Sequence, residues 1–422
     1  MTGRFSRYVE KVFSLARLAA NQRDGRDKPQ IPTCAVFLCV LMMNAMRLRS
    51  LNALEGELRL AGRWEKIVGK RKPSADSLAR IVALMDCDPL RDALSEVNHR
   101  MRRKKILGDS PWALRFVDLD AHEFFPSRKR YCPQCCRREI IVGKKGKKRK
   151  VTEFYHRAVV AHLTGFSLPV VLDVEPILAG EGEIAAAKRL LQRLMQRYAR
   201  FFDAVQGDAL YWEAPLLDLC RKHGKHLLAV LKDNNPALLA DAQALLSGQP
   251  DLVREDEDGR HVRYWDQEEF TSGAAATPVR VVRTEETWTR NERVAGRTIQ
   301  TRQVSNWFWA TSIPKSTIPA RQLARIGHER WKIENSVFNA LARDWAMDHC
   351  YHHQPAAILN FLLILFIAHI LVACLHSRNL KKQARRIYST LISLADAIRC
   401  GIVLLKARDI PWARAPASPP NA

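Results

Sequence analysis

The stretch IGHERWKIENSVFNALARDWAMDH, Ile326–His349, decides how the rest of the chain is interpreted. Read at about 100° per residue, it is an amphipathic helix with one apolar stripe. The stripe consists of Ile326, Ile333, Val337, Phe338, Leu341 and Trp345. Arg330 and Glu334 project from within it, and we expect them to be paired, hydrated or metal-bound, because isolated buried charges are unfavourable. Taken alone, an i,i+4 ion pair at the edge of a core is the simplest interpretation.

The charge of the chain is strongly positive. Its 422 residues include 68 Lys and Arg against 44 Asp and Glu, which gives a formal net charge of +24. An excess of this size favours a polyanionic partner, of which nucleic acid is the first candidate. A solubility surface or an anionic-lipid site would also be basic, but here the excess is spread along the chain. Nucleic acid is therefore the predicted partner.

The N-terminus and the cysteines predict a cytosolic protein. Residues 1–17 mix charged and apolar side chains and have no signal-peptide pattern. The ten cysteines are irregularly spaced, and several lie in apolar helical segments, as reduced buried thiols do. The apolar run Ala356–Cys374 is nearly long enough to cross a bilayer. Because it contains His369 and leads into a basic segment, we expect a buried core helix and no membrane association.

The first 110 residues have a helical pattern throughout. Leu54–Val68, Gly69–Pro73 and Ser74–Met85 read as helix, basic turn and short capped helix. This pattern is typical of helix-turn-helix units, and equally of small helical bundles that bind no DNA. We expect residues 1–110 to form a helical DNA-binding region that ends in a basic linker at Arg91–Lys105.

From residue 111 the pattern becomes that of an α/β domain. Three strand-like runs precede an amphipathic helix at Gly180–Ala199, and strand, helix and strand follow. The predicted strands are Ala113–Ala121, Glu153–Leu163, Leu168–Ile177, Phe202–Tyr211 and His226–Leu231. This order fits an RNase H-like mixed sheet, whereas a doubly wound fold requires a helix after almost every strand. Residues 111–233 are therefore predicted to be the first part of an RNase H-like core.

The rest of the chain divides into three predicted parts. Residues 234–315 carry short β-rich segments between charged turns and are predicted to form an antiparallel insertion. Residues 316–350 return to the core with the helix at Ile326–His349. Residues 351–422 are predicted to be a helical C-terminal region with a frayed, Pro- and Ala-rich tail. The predicted class is thus α/β, an RNase H-like mixed-sheet core with a β-rich insertion and helical N- and C-terminal flanks.

Carboxylates coincide with the ends of these elements. Asp118 and Asp120 lie two apart on the first strand and point to the same face. Asp208 follows the fourth strand, after a glycine that permits close approach of backbone or ligand, and Glu334 lies on the helix described first. Carboxylates grouped in this way bind Mg²⁺ or Mn²⁺. Two such ions about 3.5–4 Å apart stabilise both oxygens of a phosphoryl displacement. For any one acid alone, a solvated strand end is the simpler interpretation.

Three segments carry a resemblance to a known family. They are FVDLDAHEFF at Phe116–Phe125, GDALYWEAPLLDLCRKHGKHLLAVLKD at Gly207–Asp233, and HERWKIENSVFNALARDWAMDH at His328–His349. In order, spacing and flanking residues, the chain resembles bacterial insertion-sequence transposases of the DDE class. The catalytic domains of that class share the RNase H-like fold of retroviral integrases. The resemblance covers about Trp112–His349.

The resemblance implies a catalytic triad that binds two Mg²⁺ or Mn²⁺ ions. Family members often read D-G-H-E where this chain has D-A-H-E from Asp120, so Asp120 is the implied first acid and Asp118 the alternative. The GDALY element gives Asp208 as the second acid, and RWKIEN gives Glu334 as the third. The long interval between Asp208 and Glu334 leaves room for the β-rich insertion that many of these enzymes carry.

The chain departs from the family at two positions near the glutamate. The common signature there is Tyr-x2-Arg-x3-Glu-x6-Lys, whose centre is matched by Arg330 and Glu334. Gly327 stands at the tyrosine position and Leu341 at the lysine position. Arg343 replaces the phosphate contact of the lysine, or that contact is absent. The predicted DNA-binding residues of this helix are Arg330, Lys332 and Arg343.

The reaction implied by the resemblance is metal-dependent strand cleavage at the ends of a mobile element. Activated water attacks a phosphodiester, and the 3′-OH that is released attacks target DNA. The implied partners are terminal inverted repeats and target DNA, held by a homodimer in the bacterial cytoplasm. Two alternatives stay open. One is a DNA-binding derivative that no longer cuts, against which the intact triad argues, and the other is a nuclease of the same fold without strand transfer.

A basic loop between the first two predicted strands contains a CxxC motif, Cys132 to Cys135. One such pair is half of a structural Zn²⁺ site. His122, His156 or a distant cysteine is able to complete it, and the sequence does not choose among them. Reduced thiols in a solvated loop are the alternative. The histidine-rich run Asp348–His353 is interpreted as a polar helix end rather than as a set of metal ligands.

Overall fold

Helices occupy both ends of the chain, and a ten-stranded mixed sheet occupies the middle. The computed structural model describes residues 1–60, 64–65, 69, 71–144, 148–256, 259–272, 277–294 and 297–402. The predicted frayed tail and part of the predicted Leu54–Val68 helix lie outside these residues. The N-terminal helices are α1 Thr2–Phe13, α2 Leu15–Ala20, α3 Thr33–Ala45, α4 Leu51–Arg59, α5 Ala75–Leu84 and α6 Cys87–Arg103.

The segment predicted as a basic linker is helical instead. Arg91–Lys105 lies almost wholly within α6, so the prediction of a linker is wrong. Leu94, Val97 and Met101 recur every three or four residues and are fully buried, which is the period of an amphipathic helix. The many basic residues of this segment concealed that period.

The ten strands form one continuous sheet in the order β2-β3-β1-β5-β6-β10-β9-β8-β7, with β4 paired to β3. The strands are β1 Phe116–Ser127, β2 Cys136–Val142, β3 Arg149–Thr164, β4 Val170–Ile177, β5 Ala204–Gly207, β6 His226–Val230, β7 Leu252–Glu255, β8 His261–Phe270, β9 Val279–Val294 and β10 Arg297–Thr311. β1, β3 and β4 are antiparallel, whereas β1, β5 and β6 are parallel. Helix α7, Glu183–Tyr198, covers β3 and β4, and α8, Ala214–Lys222, connects β5 to β6. The predicted mixed α/β sheet is confirmed.

The β-rich region of residues 234–315 extends this same sheet. β10 pairs antiparallel with β6 through residues 309–311, and the long β9–β10 hairpin carries β8 and β7 outward. The region begins with a helix that the sequence analysis did not predict, α9 Pro236–Leu245. β2 was also not predicted, because its basic sequence was read as part of a loop.

An apolar helix, α12 Pro355–Cys374, is the centre of the helical bundle. α3, α5 and α6 pack against it, so the two ends of the chain share one core. The amide of Asn360, the polar residue near its start, donates to Val82 O at 2.9 Å and to Met85 O at 2.8 Å. Among the described helices, α12 with its extension to Asn379 alone has the length and apolarity to cross a membrane, and its apolar window is entirely buried. The predicted buried core helix is confirmed.

The helix that opened the sequence analysis is interrupted. It comprises α10 Ala320–Glu329, a π-helical segment Ile333–Phe338 and α11 Asn339–Trp345. All six residues of the predicted apolar stripe are buried. The wider π turn changes the angular phase of the residues within it, and such turns are often found at functional sites. The final helices are α13 Lys382–Ile387 and α14 Leu391–Gly401.

Candidate active site

The first two predicted acids lie side by side on parallel strands. The register of β1 against β5 pairs Asp118 with Gln206. Two residues further along the chain, Asp120 lies on β1 and Asp208 directly follows β5. The charge of Asp208 raises the pKa of Asp120, as expected for two neighbouring carboxylates. The fold therefore brings together the two aspartates that are far apart in the sequence.

Asp120 is held between an arginine and other acids. Arg330 Nη1 donates to Asp120 Oδ2 at 3.1 Å, and the Ala121 backbone N–H donates to Oδ1 at 3.0 Å. Burial raises the pKa of Asp120 to about 6 against the lowering effect of Arg330, and Asp208 and Glu183 raise it further. The simple i,i+4 ion pair is wrong, since Arg330 pairs across the fold. A buried carboxylate crowded by like charges is a favourable place for a cation.

Asp208 begins a short turn at the end of β5. Its carboxylate Oδ1 accepts from Leu210 N–H at 2.9 Å and so caps the 3₁₀ turn Ala209–Tyr211. Its other oxygen makes no hydrogen bond with a described residue. The preceding Gly207 allows the Tyr211 ring to pack on the backbone, because an added Cβ would lie 2.4 Å from that ring. The close approach predicted at this glycine is thus made by Tyr211.

A fourth acid, Glu183, faces the same site and was missed by the sequence analysis. It is the first residue of α7, where its Oε1 accepts from the Tyr211 hydroxyl at 2.9 Å and its Oε2 pairs with Arg157. Its charge raises the pKa of Asp120 and contributes to the high pKa of Tyr211. An acid in the first turn of a helix is already explained by the helix dipole, so the sequence gives no further signal for Glu183.

Glu334 lies on the segment that carries Arg330, but it is not bonded to the acids of this site. Its side chain is exposed and makes no hydrogen bond or ion pair with a described residue. Its expected position within the buried stripe is wrong, because the π turn directs it to solvent. It nevertheless lies four residues after Arg330, which is bonded to Asp120. The glutamate is therefore unpaired on the segment that borders the two aspartates.

The alternative first acid, Asp118, is fully buried. It accepts a hydrogen bond from the Thr164 hydroxyl, and its Oδ1 has no partner among the described residues. Burial raises the pKa of Asp118 to about 8, so its carboxyl is mainly protonated at pH 7. A buried, neutral carboxyl is poorly suited to bind a cation, which favours Asp120 over Asp118 as the first acid.

Both departures from the family signature have a packing reason. Gly327 lies against the Trp309 ring, and an added Cβ would come within 2.5 Å of it. No tyrosine fits there without moving this tryptophan. Leu341 is 1% exposed and belongs to the core, where a lysine would be unpaired.

The other two predicted DNA contacts of this helix are exposed cations. Lys332 pairs with Glu329, one turn away. Arg343 pairs with its neighbour Asp344 at 3.1 Å while 78% of its side chain stays exposed. Exposed ion pairs of this kind contribute little to stability, so both cations are available to a phosphate.

The predicted zinc pair belongs to a separate cluster. Four ligand atoms lie within 4.8 Å of one another, from Cys132, Cys135, His156 and His353. His156 was one of the candidates to complete the pair, whereas His122 instead hydrogen-bonds Asp348 at 2.8 Å. The interpretation of Asp348–His353 as a polar helix end is wrong, because α11 has already ended at Trp345, and His353 belongs to the four-ligand cluster.

A comparison with known families agrees with this geometry. Residues 117–371, more than half of the chain, match the family described as a transposase DDE domain. The matched region contains both aspartates of the site, Glu334 and all four members of the cysteine–histidine group. No curated protein sequence matches the chain significantly.

Proposed function

Because the chain belongs to the family of transposases with a DDE domain, we propose that it cleaves DNA at the ends of a mobile element and joins the 3′-OH to target DNA. The observation that carries the proposal is the junction of Asp120, Asp208 and Arg330, where two acids from neighbouring strands meet a cation from the glutamate-bearing helix. This reaction requires both a cation site and a phosphate site.

The donors at this junction fit a divalent metal ion. Carboxylate oxygens are the ligands that Mg²⁺ and Mn²⁺ prefer. The mutual repulsion that raises the pKa of Asp120 is relieved by a bound cation. Asp120, Asp208 and Glu334 would hold the metal. When bound, two such ions lower the pKa of water and stabilise the charge on the leaving 3′ oxygen.

Arg330 has a positioning role and a binding role. Its bond to Asp120 fixes the carboxylate and brings the helix against the strand. A guanidinium has five N–H donors, so donors remain for a DNA phosphate in the bidentate manner that arginine favours. Lys332 and Arg343, exposed on the same helix, would extend this contact along the DNA backbone.

Glu334 is the proposed third acid, with Glu183 as its rival. Glu183 is already close enough to raise the pKa of Asp120, but its carboxylate is bonded to Tyr211 and Arg157. Glu334 has no partner among the described residues, and the π turn that carries it has a non-standard geometry able to change when metal and DNA bind. We assign the metal-binding role to Glu334 and a positioning role, through Tyr211, to Glu183.

The remaining parts of the proposal concern the DNA complex. The net charge of +24 suits a protein that follows DNA phosphates. We propose that residues 1–110 contribute to recognition of the terminal repeats and that a homodimer holds two element ends in the bacterial cytoplasm. A derivative that binds without cutting and a nuclease without strand transfer are the competing functions.

The test is cleavage of DNA that carries the repeats flanking the gene, with Mg²⁺ or Mn²⁺, followed by strand transfer. Glu334→Gln should reduce cleavage by at least about 100-fold while DNA binding keeps its steep salt dependence. Glu329→Gln, on the same helix, is the matched control and should cut within about threefold of wild type, since its partner Lys332 is exposed.

Each other outcome identifies a competitor. If Glu183→Gln abolishes cleavage and Glu334→Gln does not, Glu183 is the third acid. A wild-type protein that binds the repeats but never cuts is the DNA-binding derivative. Cleavage with no joining to target DNA identifies the nuclease.

A further inference from the structure

Outside the acid site, which is formed by Asp120, Asp208 and Arg330, four potential metal ligands from three segments of the chain lie close together. Cys132 and Cys135 lie in the loop between β1 and β2, His156 lies on β3, and His353 lies between α11 and α12. Their Sγ and ring-nitrogen atoms are all within 4.8 Å of one another. Two cysteines and two histidines are a common ligand set of structural zinc sites.

Four of the six distances within this group lie close to the edges of a tetrahedron around one ion, and the other two are within 4.8 Å. Sγ of Cys135 lies 3.7 Å from Sγ of Cys132, 3.3 Å from Nε2 of His156 and 3.9 Å from Nε2 of His353. Sγ of Cys132 lies 3.5 Å from Nε2 of His156. Bond lengths of about 2.3 Å to sulfur and 2.0–2.1 Å to nitrogen give tetrahedral edges of roughly 3.3–3.8 Å. A disulfide would instead require about 2.05 Å between the sulfurs.

We propose that Cys132, Cys135, His156 and His353 bind one structural Zn²⁺. Four protein ligands leave no open position for a substrate, which distinguishes a structural from a catalytic zinc site. The soft thiolates select against Mg²⁺, so this metal is chemically separate from the ions of the acid site. Each coordinated thiol loses its proton to solvent when zinc binds.

Local structure holds the four side chains in place. The Cys135 N–H donates to Cys132 O at 3.1 Å, and the Cys132 N–H donates to Cys135 Sγ at 3.2 Å, which closes the CxxC turn. β2 then starts at Cys136 and pairs with β3 beside His156. The His156 and His353 rings lie 5.2 Å apart.

The site would tie the chain across the catalytic domain. His156 belongs to the central sheet, whereas His353 lies 19 residues after Glu334. Zinc would join these segments to the loop that presents the exposed Arg128, Lys129 and Arg130. The inference does not depend on the proposed reaction, because these four ligands would bind Zn²⁺ whether or not the protein cleaves DNA.

The experiment is metal analysis of the full-length protein purified under reducing conditions without chelator. We expect about one zinc per chain in the wild type. Cys135→Ser and His353→Asn should retain less than about a fifth of it. The adjacent Cys136→Ser and His352→Asn are matched controls outside the four-atom group and should retain all of it. Co²⁺ added to the chelated wild type should give the thiolate charge-transfer band and the intense visible bands of a tetrahedral site.

Several results would overturn the proposal. Wild-type protein that is free of zinc and takes up neither Zn²⁺ nor Co²⁺ does not have this site. Equal zinc loss in Cys136→Ser and Cys135→Ser would place the metal elsewhere. A Cys132–Cys135 disulfide that persists after purification with reductant, detected as a mass lower by about two daltons, would make the pair a structural disulfide instead of metal ligands. The wild-type measurements stand even if a variant fails to fold.

Discussion

The acid site of Asp120, Asp208 and Arg330 and the group of Cys132, Cys135, His156 and His353 are both built from segments far apart in the sequence, but the electrostatics of the two proposed metal sites differ. In the acid site, Asp120 and Asp208 repel each other, and the arginine Arg330 supplies a positive charge at 3.1 Å. In the other group, two sulfur and two ring-nitrogen atoms lie within 4.8 Å of one another. The acid site therefore contains like charges that repel each other in the absence of a cation, whereas the cysteine–histidine group does not.

This difference is the one expected between the proposed catalytic site and the proposed structural zinc site. Carboxylates that repel bind a cation while remaining open to water and substrate, and the partly solvated Asp120 and Asp208 have this character. Closed four-ligand sites contribute to folding free energy instead. Replacement of Asp120 or Asp208 should therefore reduce cleavage without reducing stability. Replacement of Cys132 or Cys135 should reduce stability without directly reducing cleavage.

The largest expected effect is that of Asp208→Asn on activity. We expect cleavage to fall at least about 1,000-fold, equivalent to about 4 kcal/mol of activation free energy. The melting temperature should stay the same or rise, because the change removes repulsion from Asp120. Measured cleavage rates and thermal unfolding of the same preparation check both expectations.

Asp203→Asn is the control for that variant. Asp203 lies just before β5 and pairs with Arg115 at 2.8 Å, away from the other acids. It should lower the melting temperature and leave cleavage at low temperature within a few-fold of wild type. If Asp208→Asn instead unfolds the protein and Asp203→Asn abolishes cleavage, the contrast between the two regions is lost.

Removal of metal ions should show separate effects of the two proposed sites, on cleavage and on stability, in a single sample. Treatment with a strong chelator should abolish cleavage and, by emptying the zinc site, reduce the free energy of unfolding by on the order of 3 kcal/mol or more. Mg²⁺ alone should not restore the melting temperature, whereas Zn²⁺ alone should restore it without cleavage. Full recovery of stability with Mg²⁺ alone would contradict the separation.

The buried His369 of α12 should make stability depend on pH, and this effect must be distinguished from that of the two proposed metal sites. Burial lowers the pKa of His369 in α12 from 6.5 to about 4. Below pH 6.5 the unfolded chain binds a proton that the folded chain does not, so stability falls as the pH drops from 6.5 to 4. The loss is at most about 1.4 kcal/mol per pH unit, or about 3 kcal/mol in total. His369→Gln should flatten this part of the stability curve.

The control for His369→Gln is His261→Gln, at an exposed position on β8. Its stability should follow the wild-type pH dependence through the whole window. Chemical unfolding at several pH values between 4 and 7 measures the slopes. A wild-type slope that persists in His369→Gln would assign the acid sensitivity to the metal ligands or to His162, whose pKa burial also lowers to about 4.

Much of the acid site could be predicted because its signals are local in the sequence. Asp120 lies on an apolar strand, and Asp208 follows a strand that ends in a glycine. The apolar stripe around Arg330 was also read correctly, since side-chain periodicity reports burial directly. The orientation of Glu334 could not be predicted, because a π turn depends on packing around Ile333–Phe338 rather than on any one residue type.

The cysteine–histidine group shows the opposite case. The CxxC motif predicted half of a site, but His353 lies far along the chain in a run that reads equally well as a polar loop. Only the packing of the segment before α12 against β3 brings it to Cys135. Glu183 was missed for a related reason, since the helix dipole already explains an acid in that position. Contacts between residues that are far apart in the chain, such as that of His353 with Cys135, are the part of a site that a single sequence does not predict.

The smallest expected effect concerns the hydrogen bond between His122, near the acid site, and Asp348, near the cysteine–histidine group. His122, two residues after Asp120, bonds Asp348 at 2.8 Å, and its ring lies 4.7 Å from that of Phe338. His122→Phe keeps the aromatic packing and removes the bond, so stability should fall by about 1 kcal/mol. Zinc content should stay unchanged and cleavage should fall by less than about threefold, since neither set of ligands is altered. Asp348→Asn, which keeps a hydrogen-bond acceptor, should have a still smaller effect. If cleavage collapsed in His122→Phe while zinc stayed bound, this bond would couple the two regions, and their separation would be incomplete.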